Sequence, residues 1–589
     1  MLKNPIIIEK EYSKGSLKKL QAELPNTEKS IILDYPTIYI INDKQDECSY
    51  SVYVGETNNI YRRTKEHLDR DIQDRDDWKQ LASSAASKMF VIGHEHFNKS
   101  LTLDIENRLM QYLTSVESVK YINNRRSNPQ SNYYTSTEFE SIFSKIWQKL
   151  HKHNRDLFPL EKIIRDSAIF KASPFHKLTQ EQMIAREQIL LKITRAINRG
   201  KDGQLIIVEG EAGSGKTVLL SSLFYELYQM ASGEENPVLK GIHPYLLVNH
   251  DQQLKVYQQI VEKLGIDKNE NGDSVTKPTR FINKRSAEQK ADVVIVDEAH
   301  LLWTQGKQSY RGKNQLQDLI DRAKVVVIVF DRNQILSREQ YVDKESLENM
   351  FNRVNLNGDY IHLHKQMRIA ASDATIDWIR TVIDRQELNA IPFDEKGYEI
   401  KIFETPSELQ KAIEEKSKNI HSGISRMIAT FDWPYISGKR PSNGEKYWNV
   451  SIGNWQMPWN LQLPKLSKKS VNSKHQSWAE QEQTIGEIGS TFTIQGFDLN
   501  YAGVIIGPSV KFRNGKIIFD KQASYNKKAT QRRTTDTGEK LDISDMLLKN
   551  ELNVLLTRGV NGLYIYAVDD QLREALNKAS RDGAMNERD

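Results

Sequence analysis

Cysteine is nearly missing from this 589-residue chain. Cys48 stands alone, so neither an intrachain disulfide nor a multi-cysteine zinc site can form. No run approaches the ~18 consecutive apolar residues of a membrane-spanning helix. The opening Ile6–Ile8 run is too short for a secretion signal before charges resume. A soluble protein of a reducing, cytoplasmic compartment with no membrane partner is therefore expected. Charge of one sign is scarce too: Lys and Arg number 83 against 78 Asp and Glu, and a net +5 on its own supports nucleic-acid binding only weakly. No internal repeat of solenoid type is visible.

What is present is a folded composition, 38% hydrophobic and 27% charged, on a chain too long for one core, so several domains are required. Residues 31 to about 140 alternate β-rich pieces (Thr37–Ile41, Ser51–Val54, Met89–Ile92) with helical patterns around Ile60–Leu68 and Leu101–Leu113, a small α+β unit after an N-terminal extension over 1–30. A charged helical connector over 141–185 follows, interrupted by Pro159 and Pro174. Apolar β-branched runs then recur with helical spacers: Leu205–Val208, Tyr245–Val248, Val293–Val296, Val325–Phe330, Met427–Ala429, Gly503–Ile506 and Leu563–Tyr566. Strands buried on both faces of a parallel sheet read this way. The pattern predicts two consecutive doubly wound α/β domains, over 186–345 and 346–589, the second with an insertion near 437–477 and a polar loop near Lys511–Thr537.

The strongest local signal is Gly210-Glu-Ala-Gly213-Ser214-Gly215-Lys216-Thr217, directly after one apolar run and directly before a helical one. Glycines let backbone N–H groups turn toward phosphates, and the helix N-terminus adds a favourable dipole. Lys216 is then placed for the β/γ-phosphates of ATP and the Thr217 hydroxyl for Mg²⁺. Farther on, Val293-Val-Ile-Val-Asp297-Glu298-Ala299-His300 delivers two acids to a strand end. Asp297 suits the Mg²⁺ shell and Glu298 the attacking water.

In order and spacing the stretch from Leu178 to Val568 resembles a superfamily-1 helicase core, whose two domains are RecA-like. Leu178-Thr-Gln-Glu-Gln182 is similar to the adenine-reading segment, which implies base contact by Gln182. Phe330-Asp331-Arg-Asn-Gln334 resembles the motif whose glutamine senses the γ-phosphate. Gln366-Met-Arg368 and Asn553-Val-Leu-Leu-Thr557-Arg558 resemble the two arginine motifs, which implies that Arg368 and Arg558 are arginine fingers. Thr493-Ile-Gln495-Gly496-Phe-Asp498 resembles the segment coupling ATP to the strand. Departures are Phe330 for Gly, an Asp297-Glu298-Ala299-His300 motif more typical of the sister superfamily, and Gly559-Val560 for Ala-Arg. They leave strand polarity and unwinding open. The core is most similar to bacterial helicase-like proteins, some of which carry an N-terminal nuclease.

In the small unit, Thr37-Ile38-Tyr39 and Tyr53-Val54-Gly55 resemble the two signature strands of GIY-YIG nucleases, with Thr37 for the first Gly. Arg63 and His67 lie four apart on one helical face. Glu106 edges the core face set by Ile105, Leu109 and Leu113, and Tyr121-Ile-Asn123-Asn124 closes the unit, with either asparagine eligible. The resemblance implies that Glu106 holds Mg²⁺ or Mn²⁺, that Arg63 neutralises charge on phosphorus, that Tyr39 deprotonates water, and that His67 and Tyr53 position it or relay its proton. Asn123 is favoured over Asn124.

Two further features admit bland and functional readings. His94-Glu-His96 is a polar strand end or a metal pair without a third ligand. Trp448, Trp455 and Trp459 pack the insertion or offer a base-stacking platform. The expected function is an ATP-driven motor on nucleic acid, DNA favoured over RNA, feeding a divalent-metal-dependent endonuclease in bacterial genome defence or repair, with self-association or an accessory protein open. The alternatives are a nucleotide-switched nuclease that does not unwind, or a motor bearing a non-cleaving DNA-binding module.

Overall fold

The N-terminal sheet has five strands: β1 (Ile6–Glu11), β2 (Thr37–Asp46), β3 (Ser49–Thr57), β4 (Lys88–Gly93) and β5 (Val119–Ile122), ordered β1-β4-β2-β3-β5. The computed structural model describes residues 4–586 except 14, 17–23, 47–48, 72–75, 124–129, 131–132, 212, 234–235, 267–272, 307–308, 365, 367, 419–422, 443, 465–476, 495–496 and 535–538. By contacts the chain divides into two units. One comprises Met1–Arg186, Thr217–His243 and Lys255–Val275, the other Glu187–Lys216, Pro244–Leu254 and Thr276–Asp589.

In the first unit, β2 and β3 are rich in the β-branched and aromatic residues that suit a pleated, covered surface. They run antiparallel with Tyr39 opposite Gly55. Ile38, Tyr39, Ile40 and Ile41 are all buried, because helices cover both faces. The stretch expected as an N-terminal extension supplies β1, which pairs antiparallel with β4 from Ile6↔Gly93 to Glu11↔Lys88. Helix α1 (Ile60–Glu66) starts at Asn59, whose side chain accepts the Arg62 N–H, and it widens into a π turn at His67–Asp71. Helix α2 (Lys99–Ser115) is capped likewise by Asn98, which accepts from Leu101 N–H. The stretch expected as a connector begins in the helix Phe139–His153. Its buried Ile142, Phe143, Ile146, Trp147 and Leu150 form one apolar stripe, and Phe143 and Trp147 meet Tyr112 of α2 edge-on.

Most of the remaining strands build two parallel sheets, and the others form two-stranded pairs. The first contains β6 (Gln204–Gly210), β7 (Pro244–Val248), β8 (Val275–Thr276), β9 (Ala291–Asp297), β10 (Ala323–Phe330) and β11 (Tyr360–Leu363), in the order β11-β6-β10-β9-β7-β8. Helix α3 (Lys216–Ser232) follows β6, and α4 (Asp251–Lys263) follows β7. After β12 (Glu399–Ile402) and β13 (Ser425–Ala429) come the hairpin strands β14 (Asn449–Ile452) and β15 (Trp455–Pro458), then β16 (Ile488–Gly489) and β17 (Leu499–Ile506). A second hairpin, β18 (Val510–Arg513) with β19 (Lys516–Phe519), and the short pair β20 (Arg533–Thr534) and β21 (Lys540–Leu541) precede α5 (Ser544–Leu556) and β22 (Gly559–Ala567). The second parallel sheet is ordered β12-β22-β17-β13-β16.

Two details here differ from the sequence reading. β11 pairs with β6, so residues Tyr360–Leu363, within the stretch expected to open the second α/β domain, complete the first sheet; a four-residue strand with an exposed His362 carries little periodic signal. The stretch expected as a polar loop after Lys511 holds a hairpin turning on Asn514 (φ 50°) and Gly515 (φ 78°), the Asn-Gly pair a two-residue turn with both φ positive selects. In the insertion the favoured reading of its tryptophans holds: Trp459 is fully buried with its indole N–H donating to the Pro434 carbonyl, and the partly buried Trp448 and Trp455 indoles donate to the Lys439 carbonyl and to Gln410. Ordinary packing accounts for all three tryptophans.

Candidate functional site

The register of β2 on β3 explains the nuclease-like signature. Tyr39 lies across Gly55, and a Cβ there would stand 2.5 Å from the Tyr39 phenol carbon and oxygen, so only glycine leaves room for the ring. The Tyr39 hydroxyl and His67 Nε2 are 2.7 Å apart. His67 is delivered by the π turn after α1 and stacks on Trp78 at 3.8 Å between ring centres, which fixes its plane. Tyr53 completes the aromatic cluster, 5.9 Å from Tyr39 and 5.5 Å from His67.

Electrostatics tie the remaining residues to this cluster. Burial, with Tyr53 beside it, pushes the Tyr39 phenol well above its ordinary value, while Arg63 pulls it down. Tyr53 is raised by burial and then by the Glu106 carboxylate, again opposed by Arg63. Burial disfavours the Arg63 charge, yet Tyr39, Tyr53 and Glu66 outweigh it and hold the guanidinium above its usual range. Glu106 is partly exposed at the surface. Loss of hydration around its carboxyl, followed by the nearby Glu56, pushes it up to about 8, with Lys99 and Arg63 acting the other way. Asn123 donates from its side chain to the Ser51 hydroxyl at 3.3 Å and from its backbone to Val52 O, so it closes β5 on β3. Asn124 lies outside the described residues.

Sequence reasoning missed Trp78, Glu56 and Lys99. Glu56 directly follows the second signature strand's Gly55 and pairs with Lys99 and Thr102 at the start of α2. That adjacency was its one signal; Trp78 had none. His94 and His96 form no metal group, for His96 Nδ1 engages Glu138 at 2.5 Å and its backbone N–H donates to His94 Nδ1. Among the described residues no cluster of three or more His, Cys, Asp or Glu is placed to hold a metal.

The phosphate loop rests on backbone geometry. Gly213 (φ 88°) and Gly215 (φ 74°) take left-handed conformations, and a Cβ on Gly213 would meet Arg368 Cβ at 2.4 Å. A Cβ on Gly210 would meet the Ser214 hydroxyl at 2.5 Å. Lys216 Nζ donates to the Gly210 and Glu211 carbonyls at 2.7 Å each and pairs with Asp331 at 3.5 Å. Asp331 is held below its ordinary value despite burial, by Lys216 first. Asp297 accepts from Gln253 Nε2 at 2.7 Å and from the Glu298 N–H at 2.9 Å. Glu298 adopts a left-handed φ of 51° and faces His300 at 3.2 Å.

Across from these, Arg558 Nη2 donates to Gln334 Oε1 at 3.4 Å, and Gln334 in turn donates to Asp331 at 2.6 Å. Arg558 is buried, and that burial, with Arg368 nearby, pulls it down to about 10. Arg368 pairs with Asp498 at 2.5 Å while its Cβ sits over Gly213. Thus Lys216, Gln334, Arg368 and Arg558 lie around one place. Thr217 opens α3, where its carbonyl accepts from the Tyr257 hydroxyl at 3.3 Å. Gln182 caps its own helix, its side-chain oxygen accepting from Thr179 N–H at 2.9 Å. Gly496 lies outside the described residues.

A glycine-built phosphate loop with facing arginines on paired parallel sheets, plus a tyrosine–histidine–arginine cluster on a small mixed sheet, defines a helicase-like ATPase carrying a GIY-YIG nuclease domain. The model for the GIY-YIG catalytic domain matches residues 35–117. The model described as Schlafen group 3, DNA/RNA helicase domain, matches residues 203–569, more than half of the chain, and the chain belongs to that family. An uncharacterised protein of Saccharomyces cerevisiae is 33% identical over 439 residues, covering 69% of this chain and 91% of its own. Among solved structures, the Pif1 helicase from Candida albicans aligns at 15% identity and a TM-score of 0.21, over 41% of this chain and 54% of that one. A DEAD box protein from Methanococcus jannaschii aligns at 14% identity and a TM-score of 0.27, over 72% and 95%. The two family models make the chain an enzyme of ATPase and endonuclease type, using nucleotide and divalent metal. No helix among the described residues is long and apolar enough to cross a membrane.

Proposed function

We propose that the protein hydrolyses ATP as it moves along nucleic acid, DNA in preference to RNA, and cuts the phosphodiester backbone with Mg²⁺ or Mn²⁺ in genome defence or repair within the cytoplasm. The observation that carries this reading is the Tyr39–His67 pair set between Arg63 and Glu106, a hydrolytic constellation that shares no residue with the phosphate loop. Glu106 is the residue to hold the metal. Its carboxyl is raised by burial and by Glu56, so a cation beside it relieves both penalties, and a single carboxylate suits an ion that keeps most of its waters. A divalent ion bound there supplies Lewis-acid polarisation of a phosphate oxygen.

The chain's own groups do the rest. Tyr39 accepts the proton of the attacking water as its own proton passes to His67 Nε2, the relay that the 2.7 Å contact permits. Arg63 neutralises charge gathering on phosphorus, and Tyr53 orients the water. Asn123 secures the edge of the site. At the ATP site, Lys216 exchanges its loop carbonyls for the β/γ-phosphates, with Gly210, Gly213, Ser214 and Gly215 turning backbone N–H groups inward. Thr217 and Asp297 are the residues to hold the nucleotide's Mg²⁺, Glu298 to position water, Gln334 to sense the γ-phosphate, and Arg368 and Arg558 to stabilise the transferring group. Gln182 serves the adenine and Gly496 the coupling to the strand.

The test is cleavage of short and long DNA duplexes by wild type and Lys216→Ala with ATP, a non-hydrolysable analogue or neither. Without nucleotide the variant should cut short DNA at the wild-type rate, and with ATP it should fail on long duplexes that require ATP-driven access. Equal cutting of both by the variant would remove the motor from the reaction. Absence of cutting by wild type under every condition would make the N-terminal unit a binding module.

A further inference from the structure

Helix α2 carries Glu106, and its C-terminal carbonyls need partners because the last turn of a helix leaves them without intrahelical donors. One partner comes from a distant part of the sequence. Lys263, the last residue of α4, donates from Nζ to Thr114 O at 2.8 Å and to Val116 O at 2.7 Å. A cation here also complements the negative end of the α2 dipole. The ammonium is half-buried, and loss of hydration, then Lys120, pulls it down to about 7, while Glu117 and Glu262 hold it up. An amine accepted at that cost is poorly explained as an ordinary surface charge.

Six residues earlier on the same helix, about 9 Å along its axis, the Tyr257 hydroxyl donates to the carbonyl of Thr217. Thr217 is the phosphate-loop residue beside Lys216, the part of the chain whose surroundings change when a nucleotide's phosphates arrive. The buried side chains of α4, Val256, Tyr257 and Ile260, fix its position in the packing. One short rigid helix therefore grips the phosphate-loop threonine at one point and the end of the Glu106-bearing helix at another.

We infer that through Tyr257 and Lys263 helix α4 transmits nucleotide occupancy at Thr217 to the placement of α2. The inference rests on the reading of Glu106 as the metal-holding residue for its effect on cleavage, but not for the movement itself. Nucleotide binding draws on Thr217, α4 follows through Tyr257, and the Lys263 ammonium shifts the end of α2. Cutting then responds to bound nucleotide before any hydrolysis. Neither Lys263 nor Tyr257 touches either set of reacting atoms, so removing either should uncouple the sites and leave each chemistry in place.

The experiment uses the full chain as wild type, Lys263→Gln and Tyr257→Phe, with a non-hydrolysable ATP analogue or none. It reads initial cleavage of a short duplex in Mn²⁺, the ATPase rate, and hydrogen exchange of backbone amides over residues 108–119. In wild type the analogue should change the cleavage rate by about fivefold, the low end of ordinary coupling between sites, and should alter exchange at the end of α2. In both variants that ratio should fall to about one while ATP hydrolysis and analogue-free cleavage stay at wild-type levels. Tyr257→Phe removes one hydroxyl and keeps the ring, so it decides the matter if Lys263→Gln fails to fold. A wild-type response that persists in the variants, or a wild type whose cleavage and α2 exchange both ignore the analogue, overturns the inference. If wild type does not cut at all, the nuclease reading fails, and the exchange measurement still decides the linkage.

Discussion

The two chemical sites are built from different materials. At the phosphate loop the backbone does the work: Gly213 and Gly215 hold left-handed φ values, and one lysine rests on the loop carbonyls. At the nuclease site the side chains do it: Tyr39, Tyr53, His67 and Trp78 lock one another in place by ring contacts, and one glycine, Gly55, exists to let Tyr39 lie flat. A backbone site can be vacant and still correctly shaped. An aromatic site depends on every neighbour's volume, so it should be the more sensitive to packing.

The sharpest way to break this comparison is at the loop lysine. Lys216→Ala should abolish nucleic-acid-stimulated ATP hydrolysis, measured as phosphate release, because no other residue supplies that charge at the β/γ-phosphates; unchanged turnover would remove the loop from catalysis. Arg558→Ala should lower turnover by ~10²-fold or more while nucleotide binding, read by equilibrium titration, is retained. Lost binding would instead assign Arg558 to structure, through its bonds to Val554 O and Phe497 O.

Gly55→Ala tests the aromatic half. The added Cβ must displace the Tyr39 phenol from His67, at a packing cost of ~1–3 kcal/mol. Cleavage should fall by about tenfold or more, the scale of a misplaced acid–base group, with the ATPase unaffected. Cleavage at the wild-type level would show that the Tyr39–His67 contact is dispensable.

The smallest expected effect on either activity concerns Glu551, buried in α5, which burial and then Asp432 push up to about 8. The folded state keeps a proton that the unfolded chain has released above about 4.3, so stability is greatest below that pH and declines as pH rises toward 8, by on the order of 3–5 kcal/mol. Glu551→Gln keeps an acceptor for the Phe431 N–H and should flatten the fall in Tm between pH 6 and 8. An equally steep fall in the variant would place that proton elsewhere.

Legibility in the sequence followed the same division. The phosphate loop was readable because glycines at fixed offsets between a strand and a helix state their backbone conformation directly, and the buried runs Val293–Val296 and Val325–Phe330 announced their parallel strands. Tyr39, Arg63 and His67 were readable only as a resemblance. Glu56 and Trp78 were not, since their roles arise from packing between elements that sequence spacing does not relate. β11 was too short to show a period, and the Asn514-Gly515 turn carried a hairpin signal that a polar composition masked.

The central claim is that one chain holds two separable chemistries, and Glu106→Ala tests it most directly. Divalent-metal-dependent cleavage and nucleic-acid-stimulated ATP hydrolysis are measured side by side on wild type and the purified variant. Loss of cleavage in Mg²⁺ and Mn²⁺ with the ATPase rate unchanged is the result the account predicts. Undiminished cutting by the variant would contradict it.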